Sequence, residues 1–450
     1  MDLCETWLVM HLMHLMGLFS FWISFRKFTT LFTRVFGFLH KIMKGNCNAW
    51  ILVSFNVLLT TGSLISFTLV LSLVYSYAFS SPNSVIKSYD EINGETNSSQ
   101  LQVQSYVSRD ACNVFDGRWI QDDSYNNYSY PLYDASQCPF AEKGFNCFAN
   151  GRKDIGYTKW RWKPNDCDIP RFDARRILEQ LRGKRVVFVG DSLSRTQWES
   201  LICMLMTGVE NKKSVYEVKG NKITKQIRFL GVRFSTFDVR IDFYRSVFLV
   251  KPGPVPKFVP KRVKTTLRLD KIDDISHEWI DSDVLIFNSG HWWTRSKLFD
   301  MGWYFQVGNS VKLGLPINSA FKTTLLTWSS WVEKKINTNR TTVFFRTFES
   351  SHWSGHNHNT CKVTKRPWKK TNGKDRSPVS DMINRVVKNM SVPVTVLNVT
   401  PMDAYRSDGH VGTWSDNPSI PDCSHWCLPG VPDMWNEILF SYLLQKDEAS

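Results

Sequence analysis

Beyond residue 80 the sequence has no long uncharged apolar run, and that absence excludes a multi-span transporter. It has no glycine-rich dinucleotide fingerprint and no P-loop, so no nucleotide cofactor has a recognisable seat and no CoA site is readable. Paired C-x2-C knuckles are missing too. Cys423-x3-Cys427 stands alone, which argues against a structural zinc site. There is no internal repeat. With 42% apolar residues the chain is not disordered throughout, and 450 residues leave room for two or three domains, or for one large domain with an anchor.

Two things are plentiful. Lys and Arg number 56 against 41 Asp and Glu, a formal charge of +15, which favours an acidic partner: nucleic acid, anionic lipid or acidic polysaccharide. Trp is the other, at 18 residues; flat rings suit stacking on sugars or bases and equally build cores.

The N-terminus bears on compartment. Residues 49–79 carry no Asp, Glu, Lys or Arg, longer than the roughly 20 residues a bilayer crossing needs and longer than a signal-peptide core. Arg26, Lys27, Arg34, Lys41 and Lys44 precede this segment, and the first charges after it are Lys87, Asp90 and Glu91. The positive-inside rule then places residues 1–48 in the cytosol and the rest in the lumen, a single-pass type II anchor. A second apolar segment, residues 7–25, either spans as well or lies at the interface; residues beyond 80 are lumenal in both cases.

Sequons and cysteines agree. Five N-x-S/T sites, at Asn97, Asn127, Asn339, Asn389 and Asn398, all lie beyond the apolar segment. So do eight of the ten Cys, an even number that reads as a disulfide framework whose connectivity the spacing leaves open. Residues 1–48 have net charge +3, which leaves +12 on the lumenal part. A lumenal setting disfavours nucleic acid and retains an acidic glycan.

Within the lumenal part, residues 80–110 are polar and read as a stem, and 111–170 as a cysteine-rich module without a hydrophobic core of its own. Residues 171–450 alternate short β-branched runs with helical stretches. Arg185–Val189, Val284–Phe287, Thr342–Phe345 and Val394–Val399 read as buried strands. Asp173–Leu181, Ser194–Met206, Asn318–Ile336, Val379–Met390 and Met434–Leu444 read as helices. Such alternation predicts an α/β sheet flanked by helices. A β-hairpin is expected over Arg228–Val250, followed by a Pro-rich loop, Pro252-Gly-Pro-Val-Pro256.

In an open α/β sheet the crevice lies beyond the carboxyl ends of the strands, so a site is sought among the residues just past each strand. After the first comes Gly190-Asp191-Ser192, which puts Ser192 at a helix N-terminus where backbone N–H groups favour a developing oxyanion. After the second come Asn288, a side-chain amide for an oxyanion or for a turn, then His291, Trp292 and Trp293, of which one Trp suits a sugar and the other the core. Arg346, Glu349 and His352 come after the third. Near the C-terminus lies Asp422-Cys423-Ser424-His425-Trp426-Cys427, irregular in appearance but open to pinning by two bridges.

A serine nucleophile needs a base and a carboxylate that orients the base; Ser192, His425 and Asp422 supply the three types. Plainer roles compete: Ser192 as an N-cap, Asp422 as a turn former after Pro421. Ser194 is a rival nucleophile inside the helix, Arg195 could hold an oxyanion or acceptor, and Asp191 reads as a cap. His352-x3-His356-x-His358 sits in a loop-like stretch, so no metal is expected. The basic run Lys362–Arg376 reads as a solvated loop able to steer acidic chains.

Val189-Gly-Asp-Ser-Leu-Ser-Arg195 together with Asp422-Cys-Ser-His425-Trp-Cys-Leu-Pro-Gly resembles the trichome birefringence-like proteins of plants, single-span Golgi O-acetyltransferases of wall polysaccharides. Phe115-Asp-Gly-Arg-Trp119 and Lys159-Trp-Arg-Trp-Lys-Pro164 resemble that family's cysteine-rich domain, and further blocks bring the coverage to about residues 110–446. The resemblance implies a GDSL/SGNH-esterase-like fold with Ser192 as nucleophile, His425 as base and Asp422 as its orienter. It also implies the bridges Cys112–Cys167, Cys138–Cys203, Cys147–Cys427 and Cys361–Cys423. Asp238 and Arg245 depart from the family pattern, where aromatic or Asn residues are common, and this implies an acceptor other than xylan.

Candidate substrate-binding residues are therefore Gly190, Asn288, Arg195, His291 and Trp292. The expected reaction moves acetyl onto a cell-wall polysaccharide, pectin or a hemicellulose such as xylan or mannan. No bound cofactor is expected; the donor is unreadable, and the resemblance implies delivery by a membrane partner. Hydrolysis by the same triad, as in a carbohydrate acetylesterase, and a non-catalytic glycan-binding protein are the competing functions.

Overall fold

The computed structural model describes residues 112–122, 131–355 and 360–449. The apolar segments at 7–25 and 49–79, the stem, Asn97, Asn127, His356 and His358 lie outside the described residues. Among the described residues no helix is long and apolar enough to cross a membrane.

A seven-stranded sheet organises the chain. Its strands are β1 (Arg185–Gly190), β2 (Val215–Glu217), β3 (Phe229–Phe234), β4 (Val239–Arg245), β5 (Val284–Phe287), β6 (Thr342–Arg346) and β7 (Thr395–Leu397), in the spatial order β7-β6-β5-β1-β4-β3-β2. β1, β4, β5, β6 and β7 are parallel; β3 is antiparallel to β4 and to β2. The chain leaves β1 for β4 on one side and then returns to β5 on the other. Strand order therefore reverses at β1, and its carboxyl end is the switch point where such sheets open a crevice.

Both faces of the sheet are covered, which is why its central strands are uninterrupted apolar runs. Along β1, Val186 and Phe188 enter one core while Val187 and Val189 enter the other. α1 (Ala174–Gln180), α2 (Ser192–Met206) and α5 (Val431–Ala449) cover the first face; α3 (Ile317–Lys335) and α4 (Pro378–Lys388) cover the second. Predicted and observed elements agree within a few residues, and the expected hairpin is β3 and β4.

Two features were not foreseen. Val250–Gly253, Thr265–Ile272, Trp303–Val307 and Ser310–Lys312 make a second, four-stranded sheet. Pro252 belongs to its edge strand rather than to the loop after it, a position where a residue without an N–H is tolerated. Asp422–Trp426, expected to be irregular, is a strand paired antiparallel with His410–Gly412.

The cysteine-rich module has no core of its own. Val114, Phe115, Phe140 and Trp162 pack in the same cluster as Trp198 of α2 and Trp435 of α5. Its two strands, Gly117–Gln121 and Trp160–Pro164, pair Trp119 with Trp162, and the Trp119 indole donates to the Met402 carbonyl at 2.8 Å. The four disulfides are Cys112–Cys167, Cys138–Cys203, Cys147–Cys427 and Cys361–Cys423, the pairing the resemblance implied.

α2 is buried along its whole length except at Ser192. Trp198, wholly buried, donates its indole N–H to the Ile241 carbonyl at 3.0 Å. Trp198→Ala is expected to lower stability by about 3–5 kcal/mol, read from urea unfolding with the disulfides oxidised; a loss below about 1 kcal/mol would contradict this packing.

Candidate active site

β1 ends at Gly190, and the chain turns at once into α2. Asp191 is the N-cap: its Oδ1 accepts the Leu193 N–H at 3.0 Å, satisfying an amide the helix cannot. Asn288, just past β5, locks the turn. Its Nδ2–H donates to Asp191 Oδ1 at 2.9 Å and its Oδ1 accepts the Asp191 N–H at 3.2 Å. This close approach requires glycine at 190, since a Cβ there would stand 1.8 Å from Asn288 Oδ1. Asn288 thus serves the turn with one amide hydrogen and its oxygen, and its second amide hydrogen takes no part in it.

Ser192 opens the helix with its side chain partly exposed. Its Oγ lies 2.6 Å from His425 Nε2, and His425 Nδ1 lies 2.6 Å from Asp422 Oδ2. Asp422 Oδ1 accepts the backbone N–H of Ser424 at 2.8 Å and of His425 at 3.0 Å. Burial alone would raise the Asp422 pKa, but the His425 charge and these hydrogen bonds hold it well below the usual carboxylate range. Burial disfavours the His425 imidazolium; the attraction of Asp422 outweighs it, and the net shift is upward. Such an array can take the Ser192 proton as the oxygen attacks a carbonyl carbon.

The rival Ser194 is buried inside α2. Arg195 does not face a ligand, contrary to expectation: its buried guanidinium pairs with Glu142 and Glu199 and lies 5.1 Å from the Phe145 ring centre. A cation this deep needs carboxylate partners, and two are provided. Burial pushes Glu199 up to about 7 against the pull of Arg195.

His291, half-buried in the loop after β5, has Nε2 committed to Glu349 Oε2 at 2.8 Å and its ring stacked on Phe348 at 4.2 Å. Glu349 also pairs with Arg346, whose guanidinium lies 4.2 Å from the Trp435 ring centre. Trp293 is core, its indole N–H on Ser289 Oγ at 3.0 Å, whereas Trp292 is half-buried. Lys362–Arg376 is a mostly exposed loop, within which Lys374 Nζ donates to the Ser351 carbonyl at 2.8 Å. Asn339 and Asn389 are exposed; Asn398 is half-buried and its sequon partner Thr400 is buried.

Several residues at the site escaped the sequence reading. Phe145 stacks on the His425 ring at 5.4 Å, and its carbonyl accepts the Leu428 N–H at 2.8 Å. Cys147 bridges to Cys427, two residues from His425, so the bridge itself was the signal that brings Phe145 there. Arg152 donates to the carbonyls of Asp408 at 2.7 Å and His410 at 3.3 Å. Behind the Asp422–Trp426 strand, His410 Nδ1 donates to the His425 carbonyl at 2.9 Å, and His410 Nε2 lies 2.7 Å from His352 Nδ1. His352 Nε2 in turn donates to the Ala404 carbonyl at 3.0 Å. Burial disfavours the charged form of both imidazoles and pushes His352 down to about 4. His352 is therefore structural, and among the described residues no group of three His, Cys, Asp or Glu could hold a metal.

Comparison with known proteins decides the lineage. Residues 169–442 match the PC-Esterase family, described as a GDSL/SGNH-like acyl-esterase family found in Pmr5 and Cas1p, and residues 110–168 match the PMR5 N-terminal domain. Trichome birefringence-like 7 of Arabidopsis thaliana is 57% identical over 393 residues, covering 87% of this chain and 85% of the relative. The chain belongs to the trichome birefringence-like family. Trichome birefringence-like 9 and trichome birefringence-like 6 from the same plant are 42% and 40% identical, covering 75% and 79% of this chain and 84% and 74% of the relatives. Membership and the esterase-type domain support an acyl-transferase or esterase activity for this chain.

Because Asp422 stabilises the His425 imidazolium, the neutral base is lost, as pH falls, above the ordinary imidazole pKa of about 6.5. The acid limb of the rate profile is expected above that value. In Asp422→Asn the attraction that outweighs burial is gone: the limb moves down and the rate falls on the order of 10²–10⁴-fold. An unmoved limb would contradict the coupling. Gly190→Ala is expected to cost activity as well, since the added methyl displaces Asn288 from Asp191; wild-type turnover by that variant would show the turn to be unimportant.

Proposed function

We propose that this protein is a Golgi O-acetyltransferase that acetylates hydroxyls of a plant cell-wall polysaccharide through a Ser-His-Asp triad. The observation that carries this reading is the unbroken hydrogen-bond chain Ser192–His425–Asp422 at the carboxyl end of β1. Membership of the trichome birefringence-like family supports it.

In the first half-reaction Ser192 Oγ attacks the acetyl carbonyl of the donor. His425 takes the hydroxyl proton and returns it to the leaving group, and Ser192 is left as an acetyl ester. In the second, a sugar hydroxyl gives its proton to His425 and attacks that ester. The proton then returns to Ser192 Oγ as the acetylated sugar leaves. Negative charge on the carbonyl oxygen develops beside the N-terminus of α2, with the spare amide hydrogen of Asn288 nearby. The donor reaches the site through a membrane partner, and the N-terminal apolar segment tethers the domain in the lumen.

Hydrolysis is the second reading, and the acyl-esterase description of the matched family favours it. The two differ only in whether sugar or water reaches the acetyl-enzyme. Incubating wild type and Ser192→Ala with an activated acetyl ester and separate xylan, mannan and pectin oligosaccharides, followed by mass spectrometry, tests both. One glycan is expected to gain an acetyl group with wild type alone. Ester loss with no glycan gain would establish the esterase, and identical products from both proteins would overturn the triad.

A further inference from the structure

Arg245 is the last residue of β4 and stands opposite Gly190 in the parallel register. The next amide, Ser246 N–H, donates to the Gly190 carbonyl at 2.9 Å, which fixes this strand end beside the turn carrying Ser192. On the other flank of β1, four residues beyond Asn288, comes Trp292. The two side chains meet across the switch point: the Arg245 guanidinium carbon lies 5.3 Å from the Trp292 ring centre, and Lys297 Nζ lies 5.0 Å from the same ring. Phe248 holds that ring edge-on at 6.1 Å.

The charge here is unbalanced. Among the described residues no carboxylate lies within ion-pair distance of Arg245 or Lys297, whereas Arg195, close by, is consumed by Glu142 and Glu199. Arg245 is half-buried; burial and the Arg195 charge disfavour its cation, and only Asp191 opposes them. Asp191 Oδ1 is taken by Leu193 and Asn288, and its buried Oδ2, which has no hydrogen-bond partner, lies beyond ion-pair distance of Arg245. A half-buried guanidinium held by an aromatic face, with no anion of its own, is built to receive one.

We propose that Arg245, Trp292 and Lys297 form an acceptor subsite for a carboxylate-bearing sugar, a uronate unit in or beside the chain that is acetylated. The inference rests on the polysaccharide-acceptor reading above. Arg245 receives the sugar carboxylate, Trp292 holds the guanidinium in place, and Lys297 extends the positive field to the crevice mouth. The neighbouring hydroxyls of that sugar are thereby delivered to the turn at Ser192. A neutral glycan gains none of this.

The test is binding, so it does not depend on turnover or on the donor. The full-length protein in detergent is titrated calorimetrically with oligogalacturonides, with their methyl esters, and with xylo-oligosaccharides that carry or lack a glucuronic acid branch. Free galacturonate is included as a small-anion control. The acidic oligomers are expected to bind about tenfold or more tightly than their neutral counterparts. Arg245→Gln should remove most of that preference and Arg245→Lys keep part of it, while Lys335→Gln, exposed in the last turn of α3 at the opposite end of the sheet, leaves it intact. Equal affinity for acid and ester would overturn the subsite while leaving a neutral-acceptor transferase standing. A preference untouched by Arg245→Gln, or lost equally with Lys335→Gln, would overturn it as well. Failure to bind any oligosaccharide would overturn the subsite together with the acceptor reading.

Discussion

The site depends on one 2.6 Å contact between side chains 233 residues apart, Ser192 Oγ and His425 Nε2. The two ends of that contact are positioned by different means. Ser192 sits where a buried parallel strand passes into a buried helix, so the main core fixes it. His425 sits on a short strand near the C-terminus with no place in the central sheet. Its position comes from disulfides at Cys423 and Cys427, from Phe145 stacked on the ring, and from His410 on its backbone carbonyl.

This division explains the cysteine-rich module. It supplies the second half of Cys147–Cys427, the ring over His425, Glu142 for Arg195, and Arg152 for the strand carrying His410. Cross-linking so distant segments removes much of the freedom of the unfolded chain, and it holds in place the short strand that carries Asp422 and His425. The module is thus one wall of the site. A substitution there is a substitution in the active centre, even though every triad residue lies outside it.

Most of the sheet was legible in the sequence because β1, β5, β6 and β7 are short apolar runs between amphipathic helices, and two-faced burial leaves little else for them to be. The second sheet was less so. Thr265–Ile272 alternates Leu267 and Leu269 with polar residues, but Pro252 and the neighbouring prolines suggested a loop. At the site, residue types and motif order pointed to Ser192, His425 and Asp422, because their chemistry is readable one residue at a time. Roles that depend on company were not. Arg195 beside a serine suggests an anion holder until Glu142 and Glu199 are seen to surround it, and Asn288 suggests either an oxyanion donor or a turn residue until one of its amide hydrogens is found on Asp191. Arg245 stood out only as a departure from the family pattern; its partner Trp292 comes from the loop after β5, and sequence distance conceals the pair.

The central claim is that Ser192 carries the acyl group. It is tested most directly by peptide mapping of the protein after brief exposure to an activated acetyl ester with no acceptor present. The account predicts one acetyl on the peptide containing Ser192, absent from Ser192→Ala and discharged when the accepting glycan is added. Glycan acetylation that proceeds with no acetyl ever found on Ser192 would contradict it.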